Sequence, residues 1–482
     1  MPGVVVTTSA RSGPTTPLSA ASGQFFMVGV FERGPVTPTV IRGIADLKQV
    51  YGGRVAYSDG YDHLATFFSE GGEQARVVRV VGDAAASGTL TLNDRATTPL
   101  PTLKVDAANP GSWSSNLSVE VAAGSNPGTF RIIVRLGNDI VEDYNNLADP
   151  ADAATRATDS NYVVISNLGS TSSAPDNNPA VAAPATLTAG TDDRVSIVAA
   201  NYVTALNKFV KEDGDGAVAV PGQDNATVRN ALVEHARVNN RIALLAGAKD
   251  DTVSSLISAA SSLNSQYAGL FAPWIVIPTD GASTKVIGPE GYVAGVRARA
   301  HRLEGPWRAP AGLMAAANYV VDVYQKYDAT NANKLDDAKV SAIRNINNTV
   351  RLYGWRSLSN NFDSWSYLKD QDLINRIVLD AEQRLEQYMF EPLDSKRQLQ
   401  SKIVAELSGM LQPIADRNGL FGSYDAEGNE IDPGYLVNAG DDINPVSSLT
   451  QNRINVEISL RVSPTAAWIT LSLTKVNPMG AL

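Results

Sequence analysis

The sequence predicts an α/β core with a mainly parallel sheet, an inserted β-rich domain and an α+β C-terminal domain. Beyond Gly190, continuous apolar strands alternate with amphipathic helices, as in a parallel sheet covered on both faces. Glycine, threonine, serine, asparagine and proline dominate residues 84–189, where short strand-like runs recur. Strict alternation of apolar and polar residues follows near the end of the chain.

The first residues predict an extended arm, residues 1–23. Its strand-forming positions are Val4, Val5, Val6 and Thr7, because β-branched side chains favour strands. Glycines and prolines around them disfavour a helix. An isolated strand needs a partner sheet, so we expect this arm to pair with another sheet.

The α/β core is predicted over residues 24–83 and 190–365. Strands and helices alternate most clearly in its second half, where helical segments separate the strands GAVAVPG, RIALLAG and LFAPWIVIP. Residues 84–189 interrupt this alternation and are predicted as an inserted β-rich surface domain. With 482 residues, the chain is expected to form two to four structural units.

The C-terminal α+β domain is predicted over residues 366–462. Two long helices are expected, the first with apolar residues from Ile374 to Met389 and the second from Leu399 to Leu411, with Pro413 ending it. A strand follows, whose apolar positions are Ile454, Val456, Ile458 and Leu460. Residues 463–482 are predicted as a C-terminal strand arm, with Ile469, Leu471 and Leu473 on one face.

Charge and composition exclude several classes of partner. The chain has 40 basic and 50 acidic residues and no run of lysine or arginine, so nucleic acid is not expected as a partner. No apolar stretch approaches about 18 residues and the first residues lack a signal-peptide pattern, so we expect no direct lipid contact and synthesis in the cytosol. The chain contains no cysteine, which excludes disulfides and thiolate chemistry.

The residues that could bind a metal do not form a recognisable site. His63, His235 and His301 lie far apart, and none has the spacing that places two ligands on one helix face. The segment 425–436 begins like a calcium loop, but Glu430 and Leu436 stand where glycine and a bidentate glutamate belong. We therefore predict a hairpin turn there and no metal site.

Motifs for catalysis are also absent from the sequence. It contains no nucleophile elbow, no phosphate-binding loop and no dinucleotide fingerprint. The acidic pair Asp250 and Asp251 is expected to cap a helix that starts near Thr252. The sequence thus predicts no catalytic residue, no cofactor and no enzymatic activity.

The segment from Gln266 to Gly312 resembles the central signature of bacteriophage contractile tail sheath proteins. That family has an aromatic-Pro-Trp strand, a Gly-Val-x-Ala-Arg helix and a Gly-x-Trp-x-Ala-Pro-Ala loop. The matching residues are Pro273, Trp274, Gly295, Val296, Ala298, Arg299, Gly305, Trp307, Ala309, Pro310 and Ala311. The segments LYGWRSLS, YMFEPLDSKRQLQSKI and GYLVNAGDDIN also match in order, so the resemblance spans the chain except residues 84–189.

The resemblance implies a structural protein that polymerises as stacked hexameric rings around a tail tube. Such a sheath contracts without nucleotide hydrolysis and drives the tube through the target envelope. The implied partners are other copies of the chain, the tail tube protein, and the baseplate and tail terminator proteins. The implied location is the virion tail, assembled in the host cytoplasm; a bacterial contractile injection system is equally compatible with the sequence.

The resemblance also assigns roles to residues. The two terminal arms would be strands donated to neighbouring subunits, and the strand with Ile454, Val456, Ile458 and Leu460 would belong to the receiving sheet. The C-terminal domain would face the tube. The basic residues proposed to contact the tube are Arg376, Arg384, Lys396, Arg397 and Lys402.

Two other functions are compatible with an α/β core. An α/β enzyme with a β-rich accessory domain would need convergent polar groups in a pocket. A secreted surface or adhesion protein would suit the β-rich insertion, but the start of the sequence lacks the pattern of a signal peptide.

Overall fold

The computed structural model describes residues 23–394, 396–447 and 451–467. The chain divides into two compact units. The first contains residues 1–304 and 310–375, and the second contains residues 305–309 and 376–482. No helix of the described residues has the length and apolar character needed to cross a membrane.

The core of the first unit begins with two helices between strands. Its elements are β1 (Phe25–Gly29), β2 (Thr39–Ile41), α1 (Ile44–Tyr51), α2 (Gly60–Ser69) and β3 (Ala75–Arg79). All five residues of β1 are buried, because it lies inside the sheet with both faces covered.

An inserted segment follows and is almost entirely β. Its elements are β4 (Thr89–Asn93), β5 (Pro101–Ala107), β6 (Leu117–Ala123), β7 (Phe130–Leu136), β8 (Asp139–Leu147), α3 (Pro150–Arg156), β9 (Val163–Asn167) and β10 (Ala182–Thr186). They form a sheet in the order β10-β6-β7-β8 and another in the order β4-β5-β9. Alternate residues of the two sheets share a hydrophobic cluster of their own, which includes Trp113 and Phe130.

Strands and helices alternate again after the insertion. The elements are α4 (Ala199–Leu206), β11 (Gly216–Ala219), α5 (Ala226–Val238), β12 (Arg241–Ala246), α6 (Val253–Ser261), β13 (Ala268–Ala272), β14 (Ile275–Pro278), β15 (Thr284–Ile287), α7 (Glu290–Leu303), β16 (Asp322–Val323), α8 (Ala329–Asp337), β17 (Val340–Ile346), β18 (Thr349–Tyr353), α9 (Phe362–Trp365) and α10 (Leu368–Leu385).

The main sheet confirms the predicted parallel core. Among the described residues its order is β18-β17-β13-β12-β11-β1-β3-β2, and only the outer strands β18 and β2 are antiparallel to their neighbours. Helices α4, α5, α6 and α8 share one hydrophobic cluster with the sheet. Long runs of buried aliphatic residues therefore form strands here because helices shield them from water.

Helices α2 and α7 pack so closely that glycine is needed at their contact. A Cβ atom on Gly295 would lie 2.6 Å from Cβ of Glu70 and 2.9 Å from the backbone oxygen of Phe67. Gly291 meets the backbone oxygen of His63 in the same way, at 2.3 Å. The glycine in the Gly-Val-x-Ala-Arg helix is thus explained by helix packing.

Substituting Gly295 by alanine is expected to lower the free energy of unfolding by about 1–3 kcal/mol, because the new methyl group forces the helices apart. Gly409 is the matched control, since a Cβ there meets open space in an exposed part of a helix. Gly409→Ala should raise the free energy of unfolding by about 0.5–1 kcal/mol. Urea denaturation measures both; equal effects of the two substitutions would contradict this packing.

A buried arginine joins the insertion to the core. Arg79, at the end of β3, donates to the backbone oxygen of Phe31 at 3.3 Å and to that of Pro110 in the insertion at 2.6 Å. It also pairs with the buried carboxylate of Asp192 at 2.5 Å, where the chain returns to the core. The hydrogen bond to Pro110 therefore ties the insertion to the core, and the buried ion pair joins the two core segments that flank the insertion.

In its described part, the second unit contains the long helix α11 (Gln398–Asp416) and four short strands, β19 (Ser423–Tyr424), β20 (Glu430–Asp432), β21 (Tyr435–Asn438) and β22 (Glu457–Leu460). The prediction that Pro413 ends the helix is wrong, because α11 continues to Asp416. The buried face of Leu407, Met410 and Leu411 holds this last turn although proline cannot donate a hydrogen bond there.

Two other local predictions are also corrected. Helix α10 ends at Leu385, so Met389 lies beyond it and is exposed. The cap of α6 is Thr252, whose hydroxyl accepts from the amide of Ser255. Asp251 instead accepts from the amide of Ala248 at 2.7 Å, which closes the preceding turn.

Candidate functional site

The candidate functional site is the small sheet of the second unit that was predicted to receive a strand. Strand β22 pairs antiparallel with β21, with Tyr435 opposite Leu460 and Asn438 opposite Glu457. Ile458 and Leu460 lie in β22, and Ile454 and Val456 precede it. All four predicted apolar side chains are half-buried, while the residues between them are exposed, as a strand with one covered face requires.

A buried asparagine fixes the start of this strand. The side chain of Asn444 donates to the backbone oxygen of Asn455 at 2.9 Å and accepts from its amide at 2.6 Å. The side chain therefore satisfies the backbone donor and acceptor of Asn455, as a neighbouring strand would. Sequence reasoning missed Asn444, because an isolated asparagine in a polar loop carries no pattern.

The sheet has an unoccupied edge among the described residues. Strands β21 and β22 form a two-stranded sheet, so each has a second edge without a strand partner there. The residue after β22, Arg461, also pairs toward β21, because its amide donates to the oxygen of Gly434 at 2.8 Å. A free edge of this kind is a template for another strand.

The arm residues proposed to use such an edge lie outside the described residues. These are Val4, Val5, Val6 and Thr7 at the start of the chain and Ile469, Leu471 and Leu473 at its end. Their pairing therefore stays a prediction.

Most of the basic residues proposed to contact a tube pair with acids of the same unit. Arg376 pairs with Asp380 at 2.9 Å, Arg384 with Glu406 at 2.5 Å, and Lys402 with Glu391 at 3.7 Å, while Arg397 pairs with Asp441. Lys396 is exposed and has no ion pair among the described residues. Exposed pairs such as that of Lys402 exchange readily with an outside partner, because each contributes little to stability.

The second unit also exposes large apolar side chains. Phe390 is 100% exposed and adopts a left-handed backbone conformation with φ of 66°. Others in this unit are Met389, Phe421, Tyr424, Ile431, Leu436 and Val446.

The segment that begins like a calcium loop forms a hairpin with its own internal hydrogen bonds. Asp425 accepts from the backbone amide of Asn429 at 2.7 Å, and β19 pairs with β20 on either side. Asp432 pairs with Arg461, and the Arg461 guanidinium and the Ser423 hydroxyl hold the pKa of Asp432 at about 2. No group of three or more potential metal-binding side chains exists among the described residues.

The three histidines are buried at separate places in the first unit. His235 lies 2.8 Å from the Arg241 guanidinium, and His301 lies 3.6 Å from Asp372. His63 lies 3.9 Å from Glu290. The structure therefore does not bring them together.

The residues of the sequence signature organise the core and a nearby loop. Indole Nε1 of Trp274 donates to the oxygen of Gly247 at 2.8 Å. The Arg299 guanidinium donates to the oxygens of Glu70 at 3.0 Å and Ala316 at 2.6 Å. The Glu70 carboxylate accepts from three successive amides, Asn318 to Val320, which fixes this loop.

Solved structures share this arrangement of elements. The sheath tail protein of Listeria innocua aligns with a TM-score of 0.62 at 15% identity, over 87% of this chain and 89% of that chain. The sheath tail protein of Desulfitobacterium hafniense gives a TM-score of 0.60 at 13% identity, over 91% and 93%. The sheath of the extracellular contractile injection system PVC, in its contracted state, gives 0.58 at 15% identity, over 99% and 98%.

The comparisons confirm the resemblance at the level of the fold. No protein-family model matches the chain, and no curated protein matches its sequence. The structural matches nevertheless extend over nearly the whole chain and include the sheath complex of a contracted injection system. The chain therefore has the fold of these sheath proteins.

Proposed function

We propose, from the premise that this chain has the fold of contractile sheath proteins, that it is itself a sheath subunit. It polymerises as stacked hexameric rings around a tail tube and contracts to drive the tube through a target envelope. The observation that carries the proposal is the match over 99% of this chain to a sheath in its contracted state. The structures it resembles are sheath proteins and not enzymes, which favours a structural role over the enzyme alternative.

Exchange of strands between subunits supplies the connections of the proposed assembly. The open edge of the β21–β22 sheet offers backbone groups to a strand from a neighbour. The β-branched residues Val4, Val5 and Val6 suit the donated strand. Because such an arm would connect subunits outside their packed faces, the rings stay joined while those faces rearrange during contraction.

The energy for contraction comes from the packing of subunits in this proposal. A sheath that stores energy in one packing and releases it in another needs no nucleotide. The lack of a phosphate-binding loop agrees with such a mechanism. The exposed apolar side chains of the second unit, Phe390 foremost, are suited to contacts that differ between the two packings.

We further propose that the second unit contacts the tail tube. Lys396 and Lys402 are its most exposed candidates, although Lys402 has a long pair with Glu391 at 3.7 Å. Arg376, Arg384 and Arg397 first have to leave closer intramolecular partners. Baseplate and terminator proteins would meet the ends of the sheath. The assembled protein would be located in a virion tail or a related particle, built in the host cytoplasm.

Loss of strand character in the first arm tests strand exchange directly. Replacing Val4, Val5 and Val6 by glycine should abolish pelleting of the protein in high-speed sedimentation, because glycine opposes the donated strand. Replacing Thr15 and Thr16 by glycine, outside the proposed strand, is the matched control and should leave pelleting unchanged. Normal pelleting of the triple variant would contradict strand donation by this arm.

A further inference from the structure

Two arginines face each other across the hairpin formed by β17 and β18. Arg344 lies directly opposite Arg351 in this antiparallel pair, so both side chains project from the same face of the hairpin. Both residues are half-buried. The Arg344 guanidinium lies 5.7 Å from the ring centre of Tyr353, which is 51% exposed. Like charges placed directly opposite repel each other, so this arrangement is unfavourable in the subunit alone.

No acid in the part of the chain that the structure describes forms an ion pair with Arg344 or Arg351. Asp322 contacts the same hairpin, but its carboxylate accepts from the side-chain amide of Asn345 at 2.9 Å and pairs with Lys326 at 3.2 Å. Asn345 follows Arg344 in the strand, so its side chain projects from the opposite face. The two guanidinium groups are therefore left for an anion from outside the subunit.

The second unit presents acidic side chains on its own hairpin, formed by β19 and β20. Residues 424–431 of this hairpin are all exposed. The carboxylate of Asp425 is used inside the turn, where it accepts from the side-chain amide of Asn429 at 2.9 Å. Glu427 and Glu430, by contrast, have no ion pair among the described residues. The hairpin thus offers two free carboxylates that lie close together in the sequence.

Charge and shape both favour pairing of these two hairpins. A guanidinium group and a carboxylate form two parallel hydrogen bonds, so two neighbouring arginines match two carboxylates. The exposed ring of Tyr353 lies beside the arginines, and the exposed side chains of Tyr424 and Ile431 flank the glutamates. These side chains add apolar contact at the edge of the charged pairs. The chain carries a net charge of −10, so a second copy of it readily supplies an acidic surface.

We infer that Arg344 and Arg351 of one subunit bind Glu427 and Glu430 of another copy of this chain. The inference rests on the proposed sheath function and deepens it, because it names a contact between subunits. The contact joins the first unit of one copy to the second unit of the next, so it is heterologous. Heterologous contacts extend from copy to copy into rings or helices, which are the forms that a sheath requires.

Charge reversal followed by high-speed sedimentation of the full chain tests this contact. Arg344→Glu with Arg351→Glu should raise the protein concentration needed for pelleting by about tenfold or more, because like charges then meet across the interface. Glu427→Arg with Glu430→Arg should have the same effect. The four substitutions together restore opposite charges and should return this concentration to within about threefold of the parent value.

Arg42→Glu with Lys48→Glu is the matched control for charge. Both residues are exposed, neither has an ion pair in the described part of the chain, and their reversal changes the net charge by the same amount. This variant should pellet like the parent. Undiminished pelleting of either double variant, an equal loss in the control, or no recovery in the fourfold variant would each overturn the inference.

Cross-linking separates this contact from the sheath function itself. The chain contains no cysteine, so Thr349→Cys places a single thiol beside the arginines and Ala426→Cys places one on the acidic hairpin. A mixture of these two variants, one of them carrying a size tag, should give a mixed dimer with a bismaleimide even if the parent chain does not pellet. Ala45→Cys, at an exposed position of α1, replaces Thr349→Cys in the control and should give none. Absence of the mixed dimer would overturn the contact, whereas a parent chain that never pellets would contradict the sheath function alone.

Discussion

Replacing Asp372 by alanine is expected to lower the free energy of unfolding by about 3–5 kcal/mol, because it leaves a buried arginine without its counter-ion. The carboxylate is completely buried and accepts from Arg297 at 3.0 and 2.6 Å. His301 adds a second contact at 3.6 Å. Burial raises the pKa of Asp372, but the charges of Arg297 and His301 outweigh burial and hold it below its usual value.

The exposed carboxylate of Asp363 provides the control for this substitution. Asp363→Ala should change the free energy of unfolding by no more than about 0.5 kcal/mol. A double variant, Arg297→Met with Asp372→Leu, should recover much of the loss, since an apolar pair needs no desolvation of charge. Urea denaturation followed by tryptophan fluorescence measures all three. A loss below about 1 kcal/mol for Asp372→Ala would show that the ion pair is not buried as described.

The second large effect is acid destabilisation through His235. Arg241 Nη1 lies 2.8 Å from His235 Nε2, which must accept the hydrogen bond and so must be neutral. Burial, together with the Arg241 charge, lowers the pKa of His235 to about 3. The unfolded chain binds a proton at about pH 6.5, so stability is complete above that pH and falls as the pH drops from about 6.5 towards 3.

As the pH falls from about 6.5 to about 4.5, the low pKa of His235 alone should lower the free energy of unfolding by roughly 2–3 kcal/mol. In His235→Gln the amide oxygen still accepts from Arg241 but does not titrate. The variant should therefore show a shallower fall in stability across this pH window than the parent chain. Parallel stability curves for the two proteins would rule out a neutral buried histidine.

Much of the main sheet could be predicted from the sequence because the apolar residues of each strand indicate by themselves that the strand is buried. The run FFMVG is apolar throughout and RIALLA is apolar after its first residue, Arg241, as strands covered on both faces require. Pro413 shows the opposite case. Its local preference ends a helix, but the buried face around Leu407 and Leu411 overrides that preference, and packing of this kind cannot be read from one segment.

The candidate site could be predicted only in part for a similar reason. The alternation of apolar and polar residues around Ile458 and Leu460 predicted a strand with one covered face. The partner strand Tyr435–Asn438 and the bond from Asn444 to Asn455 join distant segments, so no local pattern reveals them. Arg79 is another such residue, since a single arginine in a strand gives no sign that it will bind Asp192 across the whole insertion.

Negative-stain electron microscopy of the purified full chain at rising concentration tests the proposed sheath function most directly. A sheath subunit should form stacked rings or helical tubes, and these should be absent from the variant with glycine at Val4, Val5 and Val6. Single particles of monomer size from the full chain at every concentration and salt tested would contradict self-assembly as the function of this protein.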